Sequence, residues 1–227
     1  MTDALKSVAP IARSSVEDRV AEALRELIVA GQLPEGTPLV QRDLAERLGV
    51  SQTPVRLALT ELQRSGLVEV GGNGRAHVRR LTREDFEETY AVRRGLEALA
   101  ARAGAAAVGA EELERMAALL EELERLAGRA DVDAYLRARW EFHATCYRAA
   151  GRPRLLSEVE RLFWRSERYN RLVLSRRERF DRSVRNYRRL YEACRAGDPD
   201  AAERAIEEQM RWAVELVLDS LPSELEE

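Results

Sequence analysis

The stretch from Leu44 to Val78, LAERLGVSQTPVRLALTELQRSGLVEVGGNGRAHV, constrains the chain more than any other. It reads as a helix, a tight turn at Gly49-Val50-Ser51, a second helix and a short hairpin with a glycine-rich tip. If the second helix starts near Thr53, a 100° step per residue puts Val55, Ala58, Leu59 and Leu62 on one side, which must face a core. Thr53, Arg56, Thr60 and Arg64 then point away. Ser51 ahead of Pro54 marks a helix start, because its hydroxyl can accept an orphan backbone N–H and a first-turn proline gives up no hydrogen bond.

A helix that enters a major groove needs a buried apolar face to hold its angle and an outer face of hydroxyls, amides and guanidinium groups. Gln52, Thr53 and Arg56 supply those chemistries in one turn. The plainer reading, an amphipathic helix with a solvated face, stands beside this one, and the next segment weighs against it. Leu67 to Val70 and Ala76 to Arg79 are short β-prone runs joined by Gly71-Gly72-Asn73-Gly74-Arg75, a hairpin turn directly after the helix. Gly72 and Gly74 permit close approach to a phosphate, with Arg75, Arg79 and Arg80 nearby, although making the turn is reason enough for any one glycine.

The succession Leu33-Pro34-Glu35-Gly36, Leu44-Ala45, Leu48-Gly49-Val50-Ser51, Thr53-Pro54-Val55-Arg56, Ala58-Leu59, Leu62, Gly66-Leu67-Val68 and the glycine wing resembles the N-terminal domain of GntR-type transcription regulators. The resemblance runs over residues 14–80, and the rest is similar to the all-helical effector domain of the FadR branch, six-helix subgroup. It implies a winged helix-turn-helix with DNA contacts at Arg42, Ser51, Gln52, Thr53, Arg56, Gly72 and Gly74. Two departures lower the outer charge: Gln52 stands where the family often has arginine, and Leu57 where it often has glutamate.

Bulk charge does not advertise nucleic acid. The formal net charge is −3, and residues 10–80 carry ten Arg against nine Asp plus Glu, so local placement of arginines must do the work. A content of 45% hydrophobic, 34% charged and only 6% aromatic residues, rich in Ala, Leu, Glu and Arg, predicts a mainly helical, folded chain. Cys146 and Cys194 have neither metal spacing nor a disulfide framework and read as small core residues. No apolar run approaches the ~20 residues of a membrane span. Residues 1–13 lack a signal-peptide core and read as a disordered arm, so a cytoplasmic protein with no membrane partner is expected.

From Ser14 or Ser15 a helix carries Val20, Ala23, Leu24, Leu27 and Ile28 at helical spacing and stops at Gly31. Leu33 to Leu39 is a turn-rich connector with room for a first short strand. Thr82 is a candidate N-cap with Asp85 three residues on. Beyond it, helices over about 82–107, 110–127, 131–150, 152–174, 176–196 and 198–220 predict an antiparallel six-helix bundle for residues 82–221, with an acidic tail from Pro222.

Most members of the FadR branch hold a divalent metal in this bundle through one aspartate and three histidines. By that resemblance the four positions fall at Arg139, His143, Tyr187 and Gln209, which leaves one ligand of four. A guanidinium one turn from the imidazole repels a cation, and tyrosine and amide are poor ligands, so no metal and no cofactor is expected. The resemblance also places Arg93 and Glu97 near the effector cavity and dimer surface, although an intrahelical i,i+4 ion pair accounts for them equally. One hypothesis is a pocket of Arg93, Arg139, His143, Tyr187 and Gln209 that takes a small carboxylate directly, Arg139 replacing the metal. The alternative is a filled pocket in which these side chains are merely core. The chain thus reads as a homodimeric transcription regulator on a palindromic duplex operator that senses a small organic acid. A constitutive DNA-binding protein, or a helical-bundle enzyme with a DNA-binding module, is the competing class; no nucleophile with a paired base supports the enzyme.

Overall fold

The computed structural model describes residues 15–72, 74–129, 131–173 and 177–219; the expected N-terminal arm and acidic tail lie outside them. Among these residues nine helices and two strands follow one another. Helix α1 (Val16–Val29) opens with a reciprocal capping box, the Ser15 hydroxyl accepting from the Asp18 amide and the Asp18 carboxylate from the Ser15 amide. It buries Val20, Ala21, Leu24, Ile28 and Val29; Ala23 and Leu27 are only half-buried, so the buried stripe is rotated slightly from the expected one.

Helices α2 (Gln41–Leu48) and α3 (Gln52–Arg64) are joined by a turn in which Gly49 adopts φ +65°, a conformation that side-chain-bearing residues rarely take. Helix α3 buries Val55, Ala58, Leu59 and Leu62 against α1 and α2. Strands β1 (Val68–Val70) and β2 (Ala76–Val78) pair antiparallel with Val68 opposite Val78 and Val70 opposite Ala76. The connector supplies a third extended segment: the Leu39 amide donates to the Ala76 carbonyl (2.8 Å) and the Val78 amide to the Thr37 carbonyl (3.0 Å). The wing is therefore held on both sides of β2.

Helices α4 (Arg83–Ala105), α5 (Ala110–Arg129), α6 (Val132–Ala149), α7 (Pro153–Val173), α8 (Arg177–Ala196) and α9 (Pro199–Leu218) form the bundle. Its core is Phe86, Tyr90, Phe142, Phe163, Tyr187 and their aliphatic neighbours. Helices α4 and α6 approach so closely that a β-carbon on Gly104 would overlap the Cys146 carbonyl oxygen. Cys146 and Cys194 are buried free thiols 3.5 Å apart. No helix among the described residues is long and apolar enough to cross a membrane.

The two halves meet across a polar seam. The Tyr169 hydroxyl on α7 donates to the Thr82 carbonyl (2.9 Å) and accepts from the Thr82 amide (3.1 Å). Arg168 donates to the Arg79 carbonyl (2.7 Å), and Arg165 pairs with Asp85, which also lies 3.3 Å from Arg79. Glu35 accepts from the Leu81 amide (3.0 Å). Thr82 caps α4 as expected, accepting from the Asp85 amide, but the Asp85 carboxylate is spent on the seam. Beside the seam, a cavity of about 440 Å³ walled by Leu27, Trp140 and Trp164 separates α1 from α6 and α7.

Candidate DNA interface and effector cavity

Arg42 on α2, Ser51, Gln52, Thr53 and Arg56 on α3, and Gly72 and Gly74 in the wing are all exposed. A cleft of about 690 Å³ between α3 and the wing brings together Arg42, Gln52, Arg56 and Gly74, with Arg75 alongside. Ser51, Thr53 and Gly72 lie on the surface outside its lining. Arg42 makes a loose contact with Asp43 at 3.4 Å. Ser51 departs from expectation: it is the N-cap, yet its side chain makes no capping bond. Because the helix starts at Gln52, Pro54 is its third residue, and proline has no N–H to offer the capping oxygen. Ser51 itself stays exposed.

In the bundle, Arg93, Arg139, Tyr187 and Gln209 line one small cavity of about 20 Å³, room for about one water. His143 is not in its lining but lies against two of these residues, with its Nε2 3.2 Å from Gln209 Nε2 and its ring edge-on to Tyr187. Four of the five positions thus share the cavity, and the fifth contacts two of them. Arg93 lines the cavity and also makes the intrahelical pair, donating to Glu97 (2.6 Å) and to Ser166 (2.5 Å) while fully buried. Arg139 does not carry the free charge its sequence context suggests: Glu167 on α7, completely buried, is its partner.

The hydrogen bonds fix the protons. Tyr147 donates to Glu97 Oε2 (2.9 Å), so its oxygen must accept from His143 Nδ1 at 3.4 Å. His143 Nε2 is then the acceptor for the Gln209 amide, which assigns the tautomer and the amide orientation together. Such a set does not fit a divalent cation: the one imidazole has both nitrogens engaged, and a guanidinium stands one helical turn away. The Arg139 Nε, Glu167 Oε2, Gln209 Oε1 and Tyr135 hydroxyl atoms are buried without partners. They mark a polar site with unused donors and acceptors rather than an apolar core.

Burial, reinforced by Arg139 and Arg93, holds His143 well below the usual imidazole range. The unfolded chain therefore takes up a proton below about pH 6.5 that the folded chain refuses, so stability falls as pH falls through that value. His143→Gln is expected to flatten the dependence of unfolding free energy on pH between about 7.5 and 5.5, as measured by urea denaturation.

Three participants, Ser166, Glu167 and Asn170, were missed in the sequence. They lie on the α7 stripe that also carries Val159, Leu162 and Phe163, and a carboxylate on that inward stripe was the available signal. Asn170 bridges Tyr90 (2.9 Å) and Glu167 (3.1 Å).

A winged helix-turn-helix seamed to a helical bundle with a buried polar cavity defines a DNA-binding regulator with its own effector domain. Residues 16–78 match the family of bacterial regulatory proteins called gntR, and residues 88–211 match the FCD domain. The chain belongs to the GntR family of transcription regulators. It is 31% identical to a probable D-xylose utilization operon transcriptional repressor of Paenarthrobacter nicotinovorans, covering 86% of each chain. It is 33% identical to an HTH-type transcriptional regulator of Mycobacterium tuberculosis, over 87% of this chain and 88% of that one. In fold it is similar to McbR/YncC of E. coli (TM-score 0.79, 23% identity, 90% of this chain and 98% of that one). A GntR regulator from Rhodococcus sp. RHA1 is similar too (TM-score 0.74, 26% identity, 91% and 99%).

Proposed function

We propose that the protein is a cytoplasmic homodimer that binds a palindromic duplex operator through Arg42, Ser51, Gln52, Thr53, Arg56 and the wing glycines, and that a small organic acid in the bundle changes its grip. The observation that carries this reading is the double engagement of α7. Ser166, Glu167 and Asn170 contact Arg93, Arg139 and Tyr90, while Arg165, Arg168 and Tyr169 hold the linker and the winged domain. An effector carboxylate that replaces Glu167 on Arg139 frees α7 at the cavity and shifts the seam on its opposite face. Glu167, already raised above the usual carboxyl range by burial, takes a proton as it leaves, so acid binding strengthens as pH falls. The dimer surface is the outer stripe of α4, where Val92 and Leu99 stand exposed on either side of Gly95.

One feature favours a second ligand class. The Arg93–Glu97 and Arg139–Glu167 pairs leave the cavity without net charge, which suits a neutral polyol, and one relative is named for D-xylose utilization. The test selects operator DNA from a random pool, then titrates the complex with carboxylic acids and with sugars, in chelator, at two pH values. Release by an acid, stronger at the lower pH, is expected. Release by a sugar independent of pH selects the second class, and indifference to both leaves a constitutive DNA-binding protein.

A further inference from the structure

A second polar cleft opens on the outer face of the bundle, between α8 and α9. It encloses about 310 Å³, with Arg182, Arg185, Asn186 and Arg189 on the α8 side and Arg211 and Trp212 on the α9 side. The α8 residues follow an i, i+3, i+4, i+7 spacing, so all of them face the same groove.

Four guanidinium groups there meet two carboxylates, Glu208 and Glu215. Glu208 is taken by Arg189 (2.7 Å), and Arg182 lies over the Trp212 ring at 5.4 Å. Among the described residues neither Arg185 nor Arg211 has a carboxylate within ion-pairing distance. At the back of the cleft Asn186 is 7% exposed, and its Nδ2 is buried with no acceptor. A buried amide donor without a partner is costly, and here it lies where the unpaired cations converge. That combination requires an oxygen-rich anion.

We propose that the α8–α9 cleft is a binding site for a phosphate-bearing small molecule. A phosphomonoester brings close to two negative charges, which match the excess of cations, and three terminal oxygens, enough for Arg185, Arg211 and the Asn186 amide together. The volume leaves space for an organic body beside the phosphate. Trp212 also walls the buried cavity, whose lining includes its neighbour Ala213 and Leu216 one turn further along α9. Phosphate bound in the outer cleft therefore fixes a wall of the inner one, whichever ligand the inner one takes.

The probe is glycerol 3-phosphate, titrated calorimetrically into the full chain at constant ionic strength. Wild type, Arg185→Ala/Arg211→Ala, Asn186→Leu and Arg56→Ala are compared. One site per chain is expected in wild type and in Arg56→Ala, weakened at least about tenfold in the double arginine variant and measurably in Asn186→Leu. Arg185 and Arg211 are exposed, so the double variant should melt as wild type does in phosphate-free buffer. Equal affinity in wild type and the double variant overturns the proposal, as do equal heats from chloride at matched ionic strength or loss of binding in Arg56→Ala. A fall in affinity for random-sequence duplex in Arg185→Ala/Arg211→Ala, with no binding of the probe to wild type, would instead make the cleft a nucleic-acid surface.

Discussion

Replacing Arg139 with leucine is expected to destabilise the protein by about 3–5 kcal/mol, because it strands the Glu167 carboxylate in the bundle without a cation. Glu167 is fully buried, and its remaining partner is the Asn170 amide at 3.1 Å, with Oε2 unsatisfied even in the intact protein. Arg139 also lies 4.6 Å over the Phe163 ring, a contact that leucine does not reproduce. The pH dependence identifies the cause. Burial already raises the Glu167 carboxyl and Arg139 lowers it, so the variant raises it further. A folded-state value above the unfolded one means that the folded chain holds a proton the unfolded chain has released, and the deficit against wild type narrows as pH falls toward about 4.3, the unfolded carboxyl value. Arg139→Leu/Glu167→Leu, which removes both charges, should recover most of the loss. Urea denaturation of the three proteins at neutral and acid pH decides the matter, and a pH-independent deficit in the single variant would assign the loss to packing alone.

The same pair shows where reading the sequence stops. What a helix's own periodicity determines is legible: the buried face of α3, a helix start at Ser15, the Thr82 cap and the breaks at Gly109, Gly151 and Gly197 follow from local chemistry, whereas Gly128 stays inside α5. What depends on a residue from another helix is not. Arg139 read as an unopposed charge because Glu167 lies 28 positions along the chain and on a different helix. Asp85 read as a partner for the Thr82 cap, and its carboxylate instead serves Arg165 and Tyr169, 80 and 84 residues away. Ser51 is the N-cap, but its hydroxyl makes no capping bond; Pro54 at the third helical position offers no N–H to it. The seam was illegible for the first reason. Most of its contacts join Arg79, Thr82 or Asp85 to a side chain on α7 that is 80 or more residues away, and no pattern within either segment names the other.

Arg56→Ala should remove specific DNA binding while leaving the fold untouched. Its guanidinium is exposed at the edge of the cleft between α3 and the wing and has no hydrogen-bond or ion-pair partner among the described residues, while its carbonyl accepts from the Thr60 hydroxyl at 2.9 Å. Alanine preserves that bond and favours the helix, so the melting temperature should not change. A bidentate contact from arginine to a base edge contributes about 1–3 kcal/mol of discrimination. If both protomers of a dimer make it, affinity for the selected operator falls on the order of 10²–10⁴-fold, while affinity for random duplex changes little. Arg42→Ala supplies the contrast. Its side chain is highly exposed at the start of α2, beside Asp43, and a phosphate contact there would weaken all sequences alike and lower the salt slope by about one per protomer. Binding isotherms for the operator and for random duplex across a salt series separate a base contact from a phosphate contact. Wild-type operator affinity in Arg56→Ala would remove Arg56 from the interface and shift the recognition surface to the wing.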